Sequence, residues 1–231
     1  MYNRDYLTDQ SSQYSQESSQ AYMMSFLKAT YQLFAGSLLA ATAGSYIGLG
    51  MVNILMGPMK WVLFAVEIAL IWFVIPRVKH TPGVNLAVLF AFTFITGLTI
   101  APLLSSIFAM ADGAAIVGQA FLMTSVAFGA ISMFAMTTKR DFSSMGKFLF
   151  IALIIMIVAG ISNIFIQSSM MQLMIASAGA LIFSAFILYD TQNIIKGNYD
   201  SPVEAALSLY LDFFNLFISL LQILGIAKNN E

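Results

Sequence analysis

Seven stretches of this sequence are long and apolar enough to cross a lipid bilayer, and that pattern limits the fold more than anything else in the chain. A helix needs about 20 mostly apolar residues to traverse the hydrocarbon core. Residues 30–52, 59–76, 85–109, 114–137, 147–167, 171–194 and 202–225 meet that length. A span leaves no water to satisfy the backbone, so each must be a helix. Short links make successive helices antiparallel neighbours, and the tightest is the Q-S-S-M-M connection after residue 166. The expectation is an all-α integral membrane protein with seven transmembrane helices. Charge agrees: 9% of residues are charged, against roughly 25% in soluble domains.

Residues 1–28 differ. Q-S-S-Q-Y-S-Q-E-S-S-Q is polar and of low complexity, with too few apolar groups to bury for independent folding. It lacks the basic start and apolar core of a secretory signal. Residues 1–28 therefore read as a cytoplasmic tail, disordered or lying on the membrane surface, ahead of a membrane domain over residues 29–231. Lys and Arg are retained on the cytoplasmic side. With the N-terminus inside, Arg4, Lys28, Arg77, Lys79, Lys139, Arg140, Lys147 and Lys196 fall inside, and only Lys60 and Lys228 outside. The C-terminus is then periplasmic or extracellular. Trp61 and Trp72 suit an interfacial belt on the second span, which Pro76, Pro82 and Gly83 should close.

The net charge of −1 and the lack of a basic cluster exclude nucleic acid as a partner. With no cysteine and a single histidine, His80, neither thiol chemistry nor a permanent metal site is expected. No cofactor is implied, and membrane lipid is the one partner that composition names.

The last span carries an unexpected charge, Asp212, within S-P-V-E-A-A-L-S-L-Y-L-D-F-F-N-L-F. Its helix starts in good order, with Ser201 as N-cap, Pro202 at the first position and Glu204 completing a capping box. Glu204, Ser208, Asp212, Asn215, Ser219 and Gln222 then follow at spacings of 4, 4, 3, 4 and 3. At ~100° per residue they occupy one arc of about 80°. A polar stripe along a span faces protein or water. Asp212 lies 11 residues past Ser201, about 16 Å along the axis and close to mid-membrane. A charge there costs at least ~2.5–3.5 kcal/mol.

A partner is available on the sixth span, where Asp190 and Asn193 share a face one turn apart. Two buried carboxyls close together cannot both ionise cheaply and tend to share a proton. A shared proton would join the two helices, and its loss would push them apart or admit a cation. That is a pH-sensitive latch, with Arg77 as the nearest cation to tune it and Lys196 to offset the helix dipole at Asp190. Interhelical polar glue is the plainer alternative. Glu67, near the centre of the second span, is either part of an ion or proton path or a protonated side chain bonded to a neighbouring helix.

The run L-Y-D-T-Q-N-I-I-K-G-N-Y-D-S-P-V-E-A-A-L-S-L-Y-L-D-F-F-N-L-F, Leu188 to Phe217, resembles the transmembrane Bax-inhibitor-motif family. The bacterial members are close in length and hydropathy, and the seven-span layout extends the likeness over residues 29–231. The resemblance implies a seventh helix enclosed by the other six and residence in the cell inner membrane. It also implies a pH-dependent Ca²⁺ leak controlled by two aspartates that match Asp190 and Asp212, with Arg77 as the matching arginine. Eukaryotic relatives are tied to suppression of cell death and a bacterial relative to modulation of a membrane protease; neither role transfers from these residues. Asp190, Asp212, Asn193, Asn215, Ser208 and Glu204 offer hard oxygen ligands for transient Ca²⁺, and a leak must bind its ion weakly. The expected ion path adds Glu67 and Ser219 to these, with Ca²⁺ and H⁺ as the ions moved or sensed.

Other classes fit less well. Tyr189-Asp190 matches the first motif of intramembrane aspartyl proteases, but their G-x-G-D is absent: here it is L-Y-L-D. No enzyme is expected. A proton-coupled secondary transporter would saturate with its solute and move net protons. A non-transporting inhibitor or adaptor of another membrane machine, a protease for example, would recognise its partner through the tail or the lipid-facing helices.

Overall fold

The computed structural model describes the backbone of residues 3–229 and the side chains of residues 20–228. The described chain is helical nearly throughout. α1 (Asn3–Leu49) is followed by the single turn α2 (Val52–Leu55) and by a rod made of α3 (Met59–Ala69), a π-helical turn (Leu70–Val74) and α4 (Ile75–Val78). Then come α5 (Val84–Phe108), α6 (Gly113–Thr137), α7 (Met145–Ile166), α8 (Ser169–Ile195) and α9 (Pro202–Asn229).

Six of these helices are long and apolar enough to cross a membrane: the rod Met59–Val78 and α5 to α9. The first expected span is helical too, but it falls short by composition because Gly36, Ser37, Gly44, Ser45 and Gly48 dilute its apolar residues. The packing explains that dilution. A Cβ at Gly44 would overlap the Phe94 carbonyl of α5, one at Gly48 would sit 2.6 Å from the Ala101 Cβ, and one at Gly97 would overlap the Ala41 carbonyl. Small residues four apart on both helices let the two backbones touch. The helix also runs back through the polar N-terminal stretch to Asn3, where disorder or a surface segment was expected. Among the described side chains, Phe26 is its first buried one.

α9 is the most buried of the six, with 44% of its apolar window inside the fold against 6% for the rod. It packs on α1, α5, α6 and α8, whereas the rod stands against α5 and α7 against α8. The apolar residues on the outer helices face outward, Phe165 at 82% exposed and Trp72 at 70%. Such a surface belongs in hydrocarbon. Trp61, also exposed, has the Lys60 ammonium over its ring at 5.2 Å.

Pro76 does not end its helix, contrary to expectation. It lies inside α4 directly after the π-helical turn. Proline lacks an N–H and crowds the carbonyl four residues back, and the wider turn absorbs that misfit. The helix stops two residues later, at Val78, and Gly83 (φ 82°) makes the left-handed turn into α5. Gly197 (φ 70°) does the same at the end of α8, where Asn198 N–H reaches the Asn193 carbonyl at 2.9 Å.

Ion pairs and hydrogen bonds fasten the loops at both ends of the bundle. At one end Lys79 meets Asp200 at 2.5 Å and Glu204 at 3.6 Å. Lys196 there meets Asp141 and, at 2.7 Å, Ser143. Gln192 accepts from Phe142 N–H and donates to the Arg140 carbonyl. The loops bearing Lys79, Arg140 and Lys196 therefore gather at one end. At the opposite end Lys228 lies 3.7 Å from Asp112.

Candidate functional site at the α8–α9 seam

The polar stripe of α9 lies against α8. Near the basic end, Glu204 N–H donates to Ser201 Oγ at 3.2 Å, so the N-cap forms as the sequence predicts. The return arm of the capping box is replaced, because the Glu204 carboxylate turns to Lys79. Ser208 accepts a 2.9 Å bond from the Tyr199 hydroxyl. One turn on, Asp212 is 4% exposed and Asp190 of α8 is 7% exposed. The Asp190 carboxyl has Tyr199, Asp212, Ser208 and Asn193 as its polar neighbours. Asp212 reaches Asp190, and its Oδ2 is buried without a hydrogen-bond partner among the described residues.

The rest of the stripe is closed by neutral bonds. Asn215 Nδ2 donates to the Leu211 carbonyl and Ser219 Oγ to the Asn215 carbonyl, both within α9. Ser219 packs so closely on α8 that a Cβ at Gly179 would stand 2.6 Å from its Oγ. Gln222 Oε1 accepts from Gln172 Nε2 at 2.8 Å, and Gln172 Oε1 accepts from Asn163 Nδ2 at 2.9 Å. Asn193 accepts from Asn198 Nδ2 at 2.9 Å besides facing Asp190.

A loop side chain caps the pair. Tyr199 lies between α8 and α9 in N-Y-D-S-P. Burial, with Asp190 adding to it, pushes its phenol far above the usual tyrosine range. It therefore remains a donor at any physiological pH. Lys196 does not serve Asp190: it is spent on Asp141, whose carboxyl it holds well below the usual carboxylate range.

Two candidate residues stand apart from the seam. Arg77 is exposed, donates to the Phe73 carbonyl at 2.5 Å and lies 5.9 Å from the Phe73 ring. Glu67 accepts from Thr99 Oγ1 at 2.6 Å, on the boundary between the rod and α5. Beside it, Tyr210 of α9 is fully buried and its hydroxyl bonds Thr96, three residues before Thr99. No group of three or more metal-binding side chains occurs among the described residues.

Comparison with known proteins settles the ancestry. The family profile described as "Inhibitor of apoptosis-promoting Bax1" matches residues 23–230. The chain belongs to the Bax inhibitor family. A Campylobacter jejuni protein of uncharacterized function is 50% identical over 227 residues, covering 97% of this chain and 96% of its own. An uncharacterized membrane protein of Vibrio cholerae is 39% identical over 209 residues, 89% of this chain and 91% of its own. The Golgi anti-apoptotic protein of Vaccinia virus is 36% identical over 211 residues, 89% of this chain and 86% of its own. As a Bax inhibitor family member the chain is a multi-pass membrane protein and not an enzyme.

For this Bax inhibitor relative, the sequence located both aspartates and the stripe but missed Tyr199, Gln172 and the Tyr210–Thr96 contact. Tyr199 stands inside the motif that carries the resemblance, two residues before the cap Ser201. A buried-facing tyrosine beside an intramembrane acid is a signal that spacing alone could have raised. The partner of Gln222 could not be found that way, because it depends on the relative rotation of α8 and α9.

Proposed function

We propose that this protein is a pH-sensitive calcium-leak channel of the bacterial inner membrane, latched by a proton shared between Asp190 and Asp212. The supporting observation is their placement: two buried carboxyls facing each other across α8 and α9, one oxygen of Asp212 unpartnered among the described residues. Carboxylates only accept hydrogen bonds, so a single proton supplies the donor that holds this contact closed. Its loss sets two like charges against each other in a low dielectric, and the seam parts or takes in a cation. Calcium is the family's expectation, and the side-chain oxygens of Glu204, Ser208, Asn215 and Ser219 on α9 and of Asn193 on α8 suit a hard ion held briefly. Glu67 is a separate station on the rod side. Arg77 tunes the pair only after leaving the Phe73 carbonyl.

In this reading α1 is the seventh crossing and the N-terminus is cytoplasmic. Met23 lies beside Gly197 at the basic end, and Leu49 packs at the far end with Ile107 and Leu221. Gathering of the basic loops at the same end supports that orientation.

The test is Ca²⁺ entry into liposomes holding the purified protein, from about pH 5 to 8. Flux should rise with pH, and Asp190→Asn and Asp212→Asn should each flatten the curve. A curve unchanged by both substitutions would remove the latch. The names of the family and of the viral relative favour a second reading, a non-transporting inhibitor. No flux at any pH, with a protein partner bound, would establish that one instead.

A further inference from the structure

The seam ends in a second polar construction at the end opposite the aspartates. Asn163 of α7, Gln172 of α8 and Gln222 of α9 form a chain of amides, Asn163 Nδ2 to Gln172 Oε1 and Gln172 Nε2 to Gln222 Oε1. Asn163 is itself fixed, because its Oδ1 accepts from Ser168 N–H at 3.1 Å in the α7–α8 turn. Gln172 and Gln222 line a cavity of about 250 Å³ with Ser106, Met110 and Gly225. Just inside it, Ser219 of α9 packs tightly on Gly179 of α8, and the stripe continues from Ser219 to Asp212 about 10 Å away.

We infer that Gln172 and Gln222, positioned by Asn163, form an outer station for a hard divalent cation at the mouth of the seam. This rests on the leak reading. Both amide oxygens are occupied by amide donors here, so the station is closed by its own side chains. A side-chain rotation that breaks the two bonds turns the same oxygens toward the cavity, where they can replace part of an ion's hydration shell. Interhelical hydrogen bonds in membranes are weak enough for such an exchange. The station carries no charge, so it passes an ion without trapping it. Simple glue between three helices would make the same bonds but would not need to open.

The chain has no native cysteine, so Gln172→Cys with Gln222→Cys gives a clean cross-linking pair. The double variant is bridged with a short, reducible bis-methanethiosulfonate that spans the length of the two lost amides, the link confirmed by mass, and Ca²⁺ flux measured in liposomes before and after reduction. Each single variant serves as a control. The expected result is a flux loss of about tenfold on cross-linking, recovered on reduction. As a second arm, Gln222→Lys should lower flux and Gln222→Glu raise it, since charge near a cation path acts by sign. A cross-link that forms and leaves flux unchanged, or Lys and Glu variants that behave alike, overturns the station while the leak reading stands. Failure of the two cysteines to join overturns the geometry. Absence of flux in the unsubstituted protein overturns the leak reading and this inference with it.

Discussion

Asp212 keeps its place through what surrounds it: Asp190 across the seam, Ser208 and Tyr199 toward the basic end, and an apolar helix on its other faces. Its depth and stripe could be read from the sequence, since helical period and distance from the cap are local properties. Its surroundings could be read only in part. Ser201 caps α9 as predicted, so Ser201→Ala should lower unfolding stability in detergent by about 1 kcal/mol, measured by chemical denaturation. An unchanged midpoint would mean the Glu204 N–H finds another acceptor. Lys196 went to Asp141 because residues 138–144 fold back over the end of α8, a long-range event without a sequence signature. Asp141 has a depressed folded pKa, so its pairing contributes stability above the ordinary carboxylate value of ~3.9. That contribution is lost as pH falls through the folded value. Lys196→Gln should therefore lower the melting temperature at neutral pH, with the difference fading below about pH 4. A difference that faded between pH 5 and 8 instead would point to the aspartate pair.

At the scale of elements, the contact between α1 and α5 was visible as spacing but not as a pair. G-S-Y-I-G puts Gly44 and Gly48 four apart, and Gly97 with Ala101 repeats the pattern on α5. Neither motif says which helix it meets. The structure joins them so tightly that backbone touches backbone at Gly44 and Gly97. Gly44→Ala should cost roughly 1–3 kcal/mol through overpacking, seen as a lower melting temperature in detergent. Gly118→Ala is the matched control, since nothing lies within 4 Å of a Cβ there; it should melt no lower than the unsubstituted protein. Equal losses at both sites would mean that close approach is not what Gly44 provides. The same logic explains why the first span is weak by hydropathy: residues chosen for contact are small rather than apolar. Pro76 taught the converse, because a proline read as a stop was accommodated by a wider turn.

For the whole molecule, the issue is whether α1 makes a seventh crossing, because that decides on which side the aspartates face the cell. Hydropathy by itself finds six. Packing adds that α1 follows α5 from the basic end to the far end, which is what supports the proposed seventh crossing. Single cysteines in the cysteine-free chain test this directly. Ser25→Cys and Lys139→Cys should resist a membrane-impermeant thiol reagent in intact cells and react after permeabilisation. Met56→Cys and Ala227→Cys, at the other end, should react at once; all four positions are exposed in the fold. If Ser25→Cys labels in intact cells together with Met56→Cys, α1 returns without crossing and the chain has six spans. If instead Lys139→Cys labels and Met56→Cys does not, the bundle is inverted. The aspartates would then lie nearer the external face, and the latch would respond to external rather than cytoplasmic acid.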